Sequence, residues 1–379
     1  MFRTIVISSI LVSWLAACSS APKPTDPVKL VDIQQTQFIN SKWSATIGKT
    51  DTLTFAPTYA AGAVFAANEK GQIFEFDHSS GRTLLSFDTK AKLSSGIAVV
   101  DNLVFVGDQN AKLLAFDVTT KQKIWEQPLT SVLSEAPILV GSILVTRAKD
   151  GRLSGFNPQT GQVLWTFANT LPALNIRHTG TLTPVSEQLF LTSQAGGGLV
   201  VVNAQTGEAV WNVIVATARG TSDLERVTEV LSPPVVDSGQ VCAVAFQGRI
   251  ACFDAQSGQP IWASPASSSK GLAALGRLLV LTEDDGTVKA FDRTNGQVLW
   301  QNHDLKNRKV SAPVILSQNI LVVDFEGVGH VIDPATGSIV GRAKLGTGFL
   351  TAQPKQLDES ALLQGSSGKL VLVDVRGNS

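Results

Sequence analysis

The chain is poor in the residues from which catalytic and metal sites are usually built. Its 379 residues include four His, three Cys, one Tyr and one Met, little material for a metal cluster or an acid–base constellation. Neither sign of charge is in excess, with 31 Lys and Arg against 31 Asp and Glu. A balanced chain lacks the basic footprint by which nucleic acid is held, so no nucleic-acid partner is expected. Only 16% of residues are charged while 44% are hydrophobic, which excludes an intrinsically disordered tail. No apolar run after the N-terminal leader approaches the roughly 20 residues of a membrane helix. What is plentiful is Gly, 32 in all, set between short β-branched runs. That pattern points to many strands and many turns.

The N-terminus reads as an address. Arg3 precedes an apolar stretch from Ile5 to Leu15, too short to span a bilayer and matched to the core of a secretory signal. Leu15-Ala16-Ala17-Cys18 resembles a bacterial lipobox, in which the Cys thiol is lipidated and becomes the first mature residue. Cys18 is therefore the expected lipidation site; the alternative is an ordinary signal with a chance Cys after the cleavage position. Acyl chains contribute about 0.8 kcal/mol per buried methylene, enough in combination to hold a protein firmly to a bilayer. Ser19, rather than Asp, follows the Cys. By resemblance to enterobacterial-type sorting, that implies the outer membrane. Residues 19–27 hold three prolines and little to pack, as a solvated tether would. The expected division is a signal peptide over 1–17, a lipidated Cys and tether over 18–30, and a folded body over 31–379 facing the periplasm.

Internal repeats decide the fold class. An Asp or Asn is followed eight positions later by Trp at Asp117 and Trp125, Asn157 and Trp165, Asn203 and Trp211, Asp254 and Trp262, and Asp292 and Trp300. Weaker copies place Leu85 after Asp77 and Gly341 after Asp333, and Asp374 begins an eighth. Each copy of about 40 residues parses into four short strands separated by Gly-containing turns, with Pro57, Pro137, Pro184, Pro234, Pro313 and Pro354 at the start of the innermost strand. Units of this kind are propeller blades, and each packs only on its neighbours. The expected fold is all-β, an eight-bladed propeller of four-stranded antiparallel blades. The last copy stops before its outermost strand, while Trp43 sits in an orphan strand-like segment ahead of the first. The N-terminal strand is therefore expected to complete the last blade and remove the open edge.

The repeat resembles the tryptophan-docking motif of pyrroloquinoline-quinone (PQQ) repeat propellers; no Trp here is followed by Asp, as WD40 blades would require. Lipobox, tether and eight such blades together resemble the BamB family, lipoproteins of the bacterial β-barrel assembly (BAM) machinery. The resemblance covers the whole chain. It implies a non-enzymatic scaffold without a cofactor, held by lipid at the outer membrane. Such a scaffold binds BamA and other subunits of the BAM complex and assists insertion of barrel proteins. Blade edges or loops, by strand addition, are one way in which unfolded barrel clients could be met, though nothing in the residues shows it.

Residues that recur at one blade position serve the blade, so Trp43, Trp125, Trp165, Trp211, Trp262 and Trp300 are read as structural. Functional groups should break the repeat. The interval from Trp to the next Pro is 19 after Trp165 and 23 after Trp211, against 12 to 14 elsewhere. Up-down topology puts both insertions on one rim of adjacent blades. Leu174, Ile176 and Arg177 set aliphatic side chains beside a guanidinium, with Glu225, Arg226 and Glu229 on the second insertion. An apolar centre with a charged border suits a protein interface, although ordinary solvated loops would also fit. In BamB-like proteins a Leu-x-Leu-Arg segment and an Asp-x-Asp pair in these loops contact BamA. Leu174, Ile176 and Arg177 match the first; Glu229 matches the first acid of the second, and Leu231 stands where the other acid would be.

Other chemistry finds no support. His78, His178, His303 and His330 lack metal-ligand spacing, and Gly365-Ser-Ser-Gly368-Lys369 imitates only part of a phosphate loop. Cys242 and Cys252 lie on the second and third strands of the fifth blade; two buried thiols are expected, with a disulfide as the alternative, because a bond across neighbouring strands is usually strained. Two rival functions remain. One is a PQQ- and calcium-dependent dehydrogenase, whose relatives are generally longer. The other is a periplasmic propeller that binds cell-wall polymer or a small ligand in its central funnel, for which no aromatic cluster is seen.

Overall fold

A computed structural model describes residues 26–50, 55–133, 135–167, 181–218 and 227–377. All the regular structure in them is β-strand. Seven sheets of four sequential antiparallel strands cover residues 58–88, 98–128, 138–167, 182–214, 235–265, 272–302 and 314–344, here called blades 1 to 7. The eighth sheet joins three strands from 355–377 to the strand Gln37–Thr46, which pairs with Lys369–Gly377 as the outermost member. The eight-bladed propeller and its N-terminal closure are thus both present.

Burial along a blade follows from stacking sheet on sheet. In blade 3 the two central strands, Ile143–Arg147 and Leu153–Phe156, are buried at every residue, whereas the outer strand Val163–Phe167 alternates partly. A central strand covered on both faces reads as a continuous apolar run, and these runs account for much of the hydrophobic composition. Pro137 and Pro234 directly precede their inner strands, as expected, but Pro184 ends its strand, Leu182–Pro184. The position remains compatible with Pro because the inner strand is an edge with one neighbour.

The repeated Trp, Asp and Gly form one device. The side-chain oxygen of Asn157 accepts from the backbone N–H of Gln159 at 2.9 Å and of Thr160 at 3.1 Å, which folds the turn before the outer strand. Asp77, Asp254 and Asp333 do the same for their own turns. The Trp of each preceding blade then docks on that turn. Trp165 Nε1 donates to the carbonyl of Ala204 at 2.6 Å, Trp125 to Pro158 at 3.0 Å, and Trp300 to Pro334 at 2.8 Å. The indole lies flat on a turn glycine: a Cβ on Gly207 would be 2.6 Å from the Trp165 ring, at a φ of +75° that only Gly adopts freely. Where blade 1 has Leu85 in place of Trp, the next turn no longer has Gly; Lys121 holds the left-handed position with φ 61°.

Cys242 and Cys252 form a disulfide, contrary to the expected pair of buried thiols. The register places the two residues directly opposite each other, with Cα atoms 4.1 Å apart. That is the spacing of a non-hydrogen-bonded antiparallel pair, whose side chains approach on one face. The sequence could not supply this register, since a slip of one residue would have separated them.

Residues ahead of the closing strand also dock. Val28 N donates to the Lys306 carbonyl at 3.1 Å, and Thr36 N donates to Val340 at 2.9 Å. Arg308 and Arg342 donate to the carbonyls of Val28 and Val31, while Leu30 and Ile33 pack against the core between blades 6 and 7. Segment 26–36 therefore runs along the outer edge of blade 7. Arg308 is held in turn by buried Asp324, to which Nε2 of buried His330 also donates at 3.2 Å. The other imidazole nitrogen accepts from Arg342, which fixes that tautomer. Burial outweighs the nearby carboxylate and holds the His330 pKa below its usual value.

Candidate functional site

The connections between blades and the turn between the second and third strands of each blade lie on the same rim, because strand direction alternates. Both insertions belong to this rim. Leu174, Ile176 and Arg177, together with Glu225 and Arg226, lie outside the described residues, as does Cys18. The first insertion lies wholly outside the described residues, whereas Glu229 and the ends of the second are described. The ends of the second converge: a Cβ on Gly248 would lie 2.6 Å from Ala216 Cβ and 3.3 Å from Thr228 Cγ2. Beside them Ala216, Thr217 and Arg249 help to line a pocket of about 280 Å³.

A charge cluster lies between blades 3 and 4 on the same rim. Arg147 is the last residue of the second strand of blade 3 and only 6% exposed. Its Nη1 donates to Thr192 Oγ1 and the Ser193 carbonyl of blade 4, each at 2.7 Å. Glu135 Oε2 accepts from the backbone N–H of Leu182, the second described residue after the first insertion, at 2.7 Å. Burial drives the Glu135 carboxyl up to about 7, against the opposing pull of Arg147 and the Leu182 amide. Arg147 is itself pushed below its ordinary pKa by burial, with Glu135 and Glu229 acting in the other direction. The guanidinium thus fastens blade 3 to blade 4.

Glu229 is buried at 8% exposure and bridges Phe246 through its backbone, its carbonyl accepting from the Phe246 N–H at 2.8 Å. The other isolated bridges of this rim start from Leu93, Leu133 and Leu350. An acid therefore occupies a position that three other linkers fill with Leu. Leu231 is half-buried. Arg147 and Glu135 were not singled out from the sequence, yet a signal was present. Ten residues before each repeated Asp or Asn stand Ala67, Gly107, Arg147, Ser193, Val244, Thr282, Val323 and Gln364, and only Arg147 is charged.

Among the described residues no three His, Cys, Asp or Glu gather in a way that could hold a metal ion. The six repeated Trp residues all serve blade contacts, donating to His78, Pro158, Ala204, Ala255, Arg293 and Pro334.

Known proteins carry the same architecture. A solved structure of BamB from Moraxella catarrhalis superposes with a TM-score of 0.81 at 23% identity, covering 89% of this chain and 99% of that one. A quinohemoprotein alcohol dehydrogenase from Comamonas testosteroni shares the fold at a TM-score of 0.68 and 12% identity, covering 90% of this chain and 77% of that one. In sequence, the outer membrane protein assembly factor BamB of Bordetella pertussis is 33% identical over 373 residues, 97% of this chain and 96% of the relative. The family model described as outer membrane protein assembly factor BamB matches residues 69–302 and 284–378. With that match over most of its length, and with the blades and their closing strand as described, the chain belongs to the BamB family of outer membrane protein assembly factors.

Proposed function

We propose that the protein is a non-enzymatic scaffold of the outer-membrane β-barrel assembly machinery. It is anchored through lipid on Cys18 and faces the periplasm. Its partner is the barrel-inserting subunit BamA, within the BAM complex. The observation that carries this reading is the match of the BamB family model to residues 69–302 and 284–378, on a ring whose repeat is broken by two insertions on one rim. A rigid scaffold beneath binding loops lowers the ordering cost of binding. Leu174, Ile176, Arg177 and Glu229 present the contact.

The test is a single charge reversal. Arg177→Glu weakens recovery of BamA in a pull-down and leaves the melting temperature unchanged. Equal recovery of BamA removes Arg177 from the contact. Cys18→Ser separates the anchoring part of the reading: the protein leaves the membrane fraction if Cys18 carries the lipid, and stays there if it does not.

A further inference from the structure

The docked segment 26–36 decides from which rim of the ring the N-terminal leader departs. The closing strand Gln37–Thr46 begins opposite Gly377, on the rim away from the linkers between blades. A chain that ran straight on from Gln37 would leave the ring there. Instead it folds back along blade 7. Thr36 meets Val340 near the start of the outer strand, and the Asp26 carbonyl accepts from Asn307 Nδ2 at 3.3 Å, within the linker between blades 6 and 7. The leader therefore departs from the linker rim, at blade 7. Cys18 precedes Asp26 by eight residues, and a fully extended chain spans at most about 3.6 Å per residue. Lipid on Cys18 holds this sector of the rim within about 30 Å of a bilayer.

The same sector is built for such a neighbour. Among the described residues, Phe349 is the one large exposed hydrophobic in a linker between blades; the others lie on strands or in segment 26–36. It is 49% exposed. Lys309 is exposed too and makes no ion pair among the described residues, whereas its neighbours Lys306 and Arg308 are held by Asp285 and by Asp324 and Glu326. Phe349, Lys309, Phe325 and Leu350 help to line a pocket of about 280 Å³ where the linkers into blades 6, 7 and 8 meet. A ring beside an unpaired ammonium suits a bilayer interface: the ring settles among the headgroups, and the ammonium is drawn to anionic phosphate.

We propose that the linker rim at blades 6 to 8 is a lipid-contacting surface, in which Phe349 enters the headgroup layer of the bilayer and Lys309 pairs with a lipid phosphate. The inference rests on lipid at Cys18, since the leader is what keeps this sector near the membrane. It also sets the orientation of the ring. Blade 7 stands toward the membrane, and the linkers between blades 3, 4 and 5 lie nearly across the ring from that contact, left for a protein partner.

The test uses the lipidated protein in vesicles of phosphatidylethanolamine and phosphatidylglycerol that carry a small share of headgroup-nitroxide lipid. A bimane on Lys344→Cys reports the linker rim of blade 7, and one on Ala335→Cys reports the opposite rim; both positions are exposed. The nitroxide should quench the first several-fold more strongly than the second. In the double variant Lys309→Glu, Phe349→Glu, which replaces exposed side chains only, quenching at position 344 should fall to the level at position 335, with the melting temperature unchanged and the protein still floating with the vesicles. Flotation with equal quenching at the two positions, or undiminished quenching in the double variant, overturns the lipid-contacting surface alone. Protein that does not float with the vesicles overturns anchoring at Cys18, and this inference with it.

Discussion

Gly341 lies beneath Gln37: a Cβ on Gly341 would sit 2.3 Å from the Gln37 carbonyl oxygen and 3.0 Å from its carbon. Gly341 stands eight residues after Asp333, where five other blades carry Trp. The exception has a steric cause. At blade 7 the next blade offers no such turn, because the strand Lys369–Gly377 runs on through Asp374, and the N-terminal segment enters the closing strand Gln37–Thr46 there instead. An indole there would occupy the path of the strand that completes the ring.

Gly341→Ala should consequently loosen the closure. Its backbone is not in the left-handed region, so the cost comes from contact alone, about 2 kcal/mol for an overpacked site that must shift backbone. Melting should fall by several degrees, and protease cleavage within residues 26–46 should quicken relative to the rest of the chain. Unchanged melting together with unchanged cleavage would show that Gln37 moves aside freely and that Gly341 is not needed there.

How much of this was legible in the sequence can be read from the same residues. Blade number, strand order and ring closure were legible because most blades repeat the same physical solution, an Asx turn, a turn Gly and a docking Trp. Even the missing Trp at Gly341 was visible, though not its reason, since the segment that displaces it has no repeat signature. Leu30 fell at the end of the expected tether, because its contact follows the edge of blade 7 and not a strand period. Arg147 and Glu135 were hidden for another reason. A buried charge has no local pattern, and only its place in the aligned copies marks it as foreign.

The cysteines were misjudged because their pairing depends on a register that composition does not fix. With Cys242 opposite Cys252, and both almost wholly buried, the bond should be closed in the folded protein. Unfolding in denaturant without reductant should leave both residues unreactive to iodoacetamide by peptide mapping, and both should react once reductant is added. The double variant Cys242→Ala, Cys252→Ala should melt lower. About 3 kcal/mol is the ceiling set by closing so short a loop, and less is expected because the ladder of backbone bonds already restrains the same hairpin. Alkylation of both residues without reductant would show free thiols.

Glu135 gives the sharpest pH signature. Its carboxyl, at 4.5 in the unfolded chain, is held at about 7 in the folded protein, chiefly by burial. The folded state then keeps a proton that the unfolded state has released between those values. Stability from this group is therefore fully present below about pH 4.5 and is lost as pH rises through 7. Glu135→Gln removes the titration, and its amide oxygen can still accept from the Leu182 N–H. The variant should lie close to the parent near pH 5 and exceed it at pH 8, by about 3 kcal/mol for a shift of this size. Denaturant melts at the two pH values measure the difference. A constant offset between parent and variant would mean that Glu135 stays ionised throughout, and that Arg147 outweighs burial at the base of the insertions.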